Sequence, residues 1–338
     1  MRMSRPRALS APALSAATLL LFLALGGCGL PVQKHSALAM TSPLNVLVAG
    51  RVAPDWEALM SYTDREASLF DWRLPDSPVG RLNAGQALVP PAEVASALAM
   101  ALEVASASGG AFDPTVLPLV RLWSFDTGGR LPPAEDIRRA RSRVDWRQVR
   151  PDGEGRYRLP EGFALDLGGI AQGAVVDLLG AWLEQRGFQR YLVEASGDIL
   201  IAGTKGRREP WSVAIRHPRR SLEFVGILKL GQPGRKLALV TSGDYERFFE
   251  QGGRRYHHLL DPATGYPAVG LVSVTVIAPT CTEADALSTA AFVLGPERGL
   301  SLLEDRPGVE GLLISEREGR LEARVTSGFP LRVEQLRL

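Results

Sequence analysis

Between residues 55 and 108 apolar positions recur every three to four residues. Trp56, Leu59, Met60 and Thr63 share one face of a helix predicted over 55–70, with Pro54 just before it. A second helix is predicted over 91–108, opened by Pro90-Pro91 and closed by Gly109-Gly110. A third, charged and exposed, is expected over 133–144, and a strongly periodic fourth over 168–186 ends at Gly187. After residue 190 the character changes. Segments 191–194, 211–216, 222–230, 237–240, 256–260 and 272–277 are β-branched or aromatic and predict strands. Helix returns over 283–294, and strands over 310–315 and 321–325 close the chain. Helices early and strands late favour an α+β fold over a doubly wound parallel sheet. The pattern implies a single large domain over 41–338; two lobes with a ligand cleft between them are compatible with it.

The first 27 residues read as an export signal. Arg2, Arg5 and Arg7 form a basic start, residues 11–25 are apolar but short for a bilayer span, and Gly26-Gly27-Cys28 follows. This predicts a lipoprotein signal peptide over 1–27, lipidation at Cys28 and a short tether over 28–40. The expected location is the periplasmic side of a bacterial inner or outer membrane, reached by general export because no twin-Arg pair is present.

Composition adds little beyond globularity: 338 residues, 45% apolar and 22% charged. The formal charge is +2, but the three arginines of the leader account for it; without them 36 basic and 37 acidic residues remain. A near-neutral body offers no electrostatic footprint for nucleic acid. Cys28 and Cys281 are the two cysteines, and lipid on the first leaves the second without an intrachain partner. With four histidines (His35, His217, His257, His258), no C-x-x-C and no H-E-x-x-H, a structural zinc site is not expected.

Four stretches carry candidate chemistry. Gly110-Ala111-Phe112-Asp113-Pro114-Thr115-Val116 follows a helix and presents an acid and a hydroxyl; a helix stop with a capping Asp113 has the same spacing. In Asp166-Leu167-Gly168-Gly169-Ile170-Ala171-Gln172-Gly173 a strand end meets a glycine pair and a helix start, whose free N–H groups suit an anion. It is neither G-x-G-x-x-G nor a P-loop. Thr241-Ser242-Gly243-Asp244-Tyr245, then His258-Leu259-Leu260-Asp261-Pro262-Ala263-Thr264-Gly265, place a polar turn and a histidine at neighbouring strand ends. Last, Asp285 and Thr289 lie four apart on a helix; a carboxylate and a hydroxyl are hard ligands for Mg²⁺, although an exposed helix face has that spacing too.

Taken together, in this order, these stretches resemble the FAD:protein FMN transferases, the ApbE family, over roughly residues 40–295. The resemblance implies an α+β flavin transferase domain over 41–338 that binds FAD and, with Mg²⁺, moves FMN to a threonine hydroxyl of an exported or membrane-bound flavoprotein, releasing AMP. It implies metal ligation by Asp285, Thr289 and the Ala171 carbonyl. For the FAD site it points to Met40, Ser68, Leu69, Phe70, Asp113, Asp166, Gly197, Asp198, Thr241, Ser242, Gly243 and His258. His258 and Asp261 match the segment near the reacting centre, and the proton acceptor is His258 or a nearby aspartate. The family's usual lysine is Gln172 here, its Ser-Glu is Ser77-Pro78, its Gly-Gly-Asp is Ser196-Gly197-Asp198, and its Met-Gly-Thr is Met40-Thr41. Two other activities share these residues: a Mg²⁺-dependent FAD pyrophosphatase, and an exported lipoprotein that binds FAD without chemistry.

Overall fold

The computed structural model describes residues 30–40 and 42–338; the leader and Cys28 lie outside the described residues. The chain opens with strands β1 (Val32–Ala39) and β2 (Ser42–Ala49), joined at Met40, whose φ is +54°. Helices α1 (Trp56–Phe70), α2 (Pro78–Asn83), α3 (Ala92–Ala107), α4 (Leu117–Trp123), α5 (Ala134–Arg141) and α6 (Ala171–Gln185) follow. Then come β3 (Tyr191–Ala195), β4 (Asp198–Ala202), β5 (Trp211–Arg216), β6 (Phe224–Leu230), β7 (Lys236–Gly243), β8 (Phe248–Gln251), β9 (Arg254–His257) and β10 (Ser273–Ala278). Helix α7 (Cys281–Glu304), β11 (Glu310–Arg317) and β12 (Arg320–Val325) complete the fold.

Eight strands form one antiparallel sheet in the order β1-β2-β3-β4-β7-β10-β11-β12. The architecture is α+β, as expected from the sequence. The central strands β3, β4 and β10 are buried along their whole length because both faces of the sheet are covered. On one face Val46, Val48, Val193, Leu200, Val240 and Val276 pack against α1, α3, α6 and α7 through Leu59, Leu98, Val175, Leu179 and Leu287. On the other, Leu47, Leu192, Ile199, Ile201, Leu239 and Ile277 meet the β5–β6 hairpin through Trp211, Val213, Ile215 and Leu228. Alternate residues of β2, β3 and β4 therefore serve two cores, and a one-residue slip would exchange them. A third, small core joins α4, α5 and the β8–β9 hairpin through Leu119, Trp123, Ile137, Tyr256 and Leu260.

Local signals explain the helix bounds. Asp55 caps α1 by accepting from the Ala58 amide at 3.0 Å, and Thr280 caps α7 by accepting from Glu283 at 3.2 Å. Ser77 accepts from Gly80 N at 2.8 Å, and Pro78 occupies the first helical position of α2, where no N–H is needed.

Three expectations change. The segment read as a tether is, from Val32, edge strand β1, paired in register with β2; VQKHSALA alternates too weakly to announce itself. The helix expected to stop at Leu294 continues to Glu304, broken at Gly295, whose φ is +81°, with Pro296 opening the second segment. The strand expected over 256–260 stops at His257, so His258 lies just beyond it.

Candidate active site

The site assembles at one end of the sheet. The β1–β2 turn at Met40, the β3–β4 turn at Ser196-Gly197, the start of β4 at Asp198 and the end of β7 at Thr241–Gly243 all reach that end. Ser196 (φ +46°) and Gly197 (φ +103°) are both left-handed, which a two-residue hairpin between right-twisted strands requires. Helix α1 begins at the opposite end after β2 and runs back, so Ser68, Leu69 and Phe70 lie at its last turn beside the site. Ser68 Oγ donates to the Arg65 carbonyl, and Phe70 is buried in the main core.

Helices α6 and α7 deliver the polar groups. The Gly173 amide in the first turn of α6 donates to Asp285 Oδ2 at 3.2 Å. Ser242 Oγ lies 2.7 Å from Ser288 Oγ and 3.5 Å from Thr289 Oγ1, which ties the end of β7 to the same turn of α7. A Cβ on Gly169 would stand 3.4 Å from Thr289 Oγ1 and 3.2 Å from the Phe112 ring, so the glycine pair is what lets the α6 entry approach α7. Asp177 fixes α7 from the other side, accepting from Cys281 N, Thr282 N and Thr282 Oγ1 at 2.9, 2.8 and 2.6 Å.

Asp198 and Asp285 are both buried, and among the described residues neither is paired with a lysine or arginine. Burial pushes the Asp285 carboxyl up to about 7. Asp198 is raised well above the usual carboxylate range, first by burial and then by the charge of Asp285. Asp198 Oδ2 has no hydrogen-bond partner among the described residues. Two buried acids with an orphaned oxygen and hydroxyls at Ser242 and Thr289 make an all-oxygen set; Ala171, whose carbonyl the family resemblance adds, is the first residue of α6, two before Gly173. Such a set fits a hard divalent cation that keeps water or phosphate oxygens as its remaining ligands. No cluster of three or more His, Cys, Asp or Glu placed to hold a metal occurs among the described residues. Gln172 donates to the Ala195 carbonyl at 2.7 Å and also bonds Asp198, holding the β3–β4 turn against α6.

The histidine side of the site comes from the small third core. His258 donates its backbone N–H to the Arg247 carbonyl at 3.0 Å, and its Nδ1 lies 3.2 Å from the same oxygen. A carbonyl only accepts, so Nδ1 carries the proton and Nε2 keeps its lone pair. Burial, reinforced by the Arg247 charge, pushes the His258 imidazole well below its usual value, so the ring is neutral. The neighbouring His257 packs edge-on against Phe292 of α7, with centroids 5.5 Å apart, and its Nε2 donates to Ala268 O at 3.0 Å. Phe292 is three residues beyond Thr289, so this contact docks the hairpin beside the Asp285–Thr289 turn. Asp166 bridges the two sides: it accepts from Gly168 N at 2.8 Å, burial raises its carboxyl, and Arg247 and Arg73 oppose that rise.

Two residues predicted for the site are occupied locally. Asp113 accepts from Thr115 N, Thr115 Oγ1 and Trp146 N at 2.8, 2.6 and 3.0 Å. The Asp261 carboxylate accepts from Ala263 N at 2.9 Å and organises the 261–266 turn. Ser288 and Asn83 carry no role in the sequence reading, and Gly173 enters it only as the last residue of the glycine-rich stretch. Ser288 follows Asp285 by three residues, and Asn83 clamps the approach to Asp166 by exchanging two bonds with Leu165. The helical period of α7 is the signal for Ser288, and the Arg81-Leu82-Asn83 triplet that follows Ser77-Pro78 is the signal for Asn83. Arg247, on an exposed hairpin, had none.

The ApbE family model matches residues 40–313. A FAD:protein FMN transferase of Treponema pallidum is 35% identical over 287 residues, 79% of this chain and 78% of that protein. One from Escherichia coli K12 is 33% identical over 281 residues, covering 79% and 78%. Among solved structures, the ApbE protein of Thermotoga maritima superposes with a TM-score of 0.80 at 32% identity, covering 88% of this chain and 98% of that one. The flavin transferase ApbE of Vibrio cholerae gives 0.78 at 28% identity, with the same coverage. The glycine-rich entry of α6, the acid-and-hydroxyl turn of α7 and the histidine beyond β9 are thus set in a chain that belongs to the ApbE family.

Proposed function

We propose that this chain is a Mg²⁺-dependent flavin transferase that moves FMN from FAD to a threonine hydroxyl of an acceptor flavoprotein and releases AMP. One observation carries the reading: two buried carboxylates with no lysine or arginine partner among the described residues, and their hydroxyl neighbours, meet the glycine-rich start of α6, in a family whose named relatives are FAD:protein FMN transferases. Asp285, Thr289 and the Ala171 carbonyl would hold Mg²⁺, which when bound neutralises charge developing on the phosphoryl oxygens. Gly168 and Gly169 leave room for the diphosphate to approach the first N–H groups of α6. The acceptor oxygen forms a bond to the FMN phosphorus while the bond to the AMP oxygen breaks. His258 Nε2, neutral and unprotonated, takes the threonine proton. The rest of the rate enhancement is positioning of oxygens in line.

The acceptor belongs to the exported or membrane-bound flavoproteins, and the chain works on the periplasmic side, anchored through lipid on Cys28. The test is to mix purified protein with FAD, Mg²⁺ and a candidate acceptor and read in-gel flavin fluorescence. Fluorescence on the acceptor, lost when its threonine is replaced, is expected. AMP and FMN release without labelling would instead make the chain a pyrophosphatase. A stable yellow protein with neither product would make it a carrier.

A further inference from the structure

The end of the sheet opposite the active site is basic. There β1 begins at Val32, paired with Ala49; β3 begins, β4 ends and β7 begins in register with them. Backbone bonds knit the loops of this end into one surface: Ala49 N to Arg190 O at 2.9 Å, Gly50 N to Pro31 O at 2.8 Å and Gly203 N to Arg235 O at 3.0 Å. Arg51, Arg190, Arg207, Arg208 and Arg235 lie on these loops, and none of the five forms an ion pair among the described residues. All but the half-buried Arg190 are exposed. On the β1–β2–β3–β4–β7 half of this end the acids do not cancel them: Glu184 and Glu209 are paired with Lys236 and Lys205, leaving Asp55, which caps α1, and Glu57, while Asp305 and Glu310 lie on the β10–β11 half.

Four residue steps separate Cys28 from Val32, a reach of at most ~14 Å. An anchored lipid at Cys28 therefore holds this same end of the sheet near the bilayer. Strand β7 runs the length of the sheet, seven steps from Lys236 to Gly243, about 23 Å, to the site. From these positions we infer that the five-arginine end is a docking surface for the anionic headgroups of the bilayer that carries the anchor, and that it fixes the active site facing away from the membrane. The inference rests on the lipid-anchor reading for its geometry. Polybasic surfaces beside an anchor bind anionic lipid electrostatically and lose that attraction beyond about a Debye length, so the contact depends on salt and lipid charge.

The test uses the full, lipidated chain in vesicles of phosphatidylcholine alone or with about 30% phosphatidylglycerol. Cys281 is buried, so a single introduced cysteine takes a fluorophore: Gln232→Cys in the basic end, or Gln251→Cys at the β8–β9 turn. A headgroup-attached quencher reports proximity. In the anionic vesicles the label at 232 is expected to be quenched at least threefold more than the label at 251. Arg207→Glu, Arg208→Glu and Arg235→Glu together should abolish that difference while flavin transfer continues, which reports an intact fold. Equal quenching at the two positions, or a difference unchanged by neutral lipid and by the reversed charges, overturns the inference. Flotation separates it from the anchor. A chain that floats with anionic but not neutral vesicles keeps the docking surface and loses the lipid. One that floats with both but shows no asymmetry keeps the lipid and loses the docking surface. If the charge-reversed protein loses an acidic protein partner with no change in quenching, the surface is a protein contact and the inference falls.

Discussion

The Gly173 amide and Asp285 Oδ2 lie 3.2 Å apart, and this bond joins the first turn of α6 to the acid of α7. It also partly steadies a carboxylate that burial would otherwise keep protonated. The carboxylate proposed to receive the cation is thus the group that ties the two helices together.

Asp285→Ala removes the carboxylate and is expected to lower FMN transfer by at least about 10²-fold, with AMP release lost in parallel. Chelation of divalent cations should reproduce this in the unaltered protein. Because the Asp285 carboxyl is pushed up to about 7, protons compete with the cation. Apparent Mg²⁺ affinity should weaken about tenfold per pH unit below about 7 and level off above it. Isothermal titration across pH 5.5–8.5 measures this, and a flat profile would refute it.

The same shift has a stability sign. A carboxyl raised by folding favours the folded state at low pH and loses that contribution as pH rises through its folded value. Metal-free protein should therefore melt at lower temperature as pH goes from about 4 to about 7, with Mg²⁺ restoring the loss. Asp285→Asn should reduce the metal-free trend, leaving the part that the buried Asp198 contributes.

His258→Gln keeps a polar ring substitute but no base at that position. Turnover should fall about 10²- to 10⁴-fold with little change in FAD affinity or melting temperature. With Mg²⁺ kept saturating at each pH, the unaltered enzyme's activity should persist well below pH 6.5 before the imidazole protonates, because burial depresses it. Single-turnover labelling against fluorescence-detected FAD binding separates the two effects.

Asp113→Asn should act on stability. One oxygen serves Thr115 twice and the other takes the Trp146 amide, so an amide NH₂ must face an N–H donor. A loss of about 1–3 kcal/mol is expected, visible in urea melts, with a small change in the FAD concentration needed for half-maximal transfer.

Gly173→Ala places a methyl 2.4 Å from the Cys281 carbonyl oxygen and 3.0 Å from Asp285 Cβ. Both helices must part to admit it. The expected cost is about 1–3 kcal/mol, together with loss of transfer larger than the unfolded fraction explains.

Much of this was legible in the residues. The helices over 55–70, 91–108 and 168–186 announce themselves by periodicity and by proline and glycine punctuation, and the structure keeps each within a few residues. The β5 bounds are those the pattern predicts. What escaped has physical causes. Strand β1 is an edge strand, half exposed on both faces, so its hydrophobic alternation is diluted. Strand β4 is only five residues long and buried on both faces, so it shows no alternation at all. At the site, glycine-rich and acidic motifs mark positions but not partners. That Asp113 serves Thr115 and Trp146, and that Asp198 keeps an orphaned oxygen, follows only from the tertiary arrangement.

The break at Gly295 divides labour along one helix. The candidate-site residues of this helix lie before it, from the turn after the Thr280 cap to Thr289 and the Phe292 contact with His257. The turns after Pro296 pack instead toward β11, where Leu303 closes on Gly311. A hinge residue that interrupts the hydrogen-bond ladder lets each half choose its own axis. Changes in the distal half should register as altered thermal tolerance, and those in the proximal half as altered turnover.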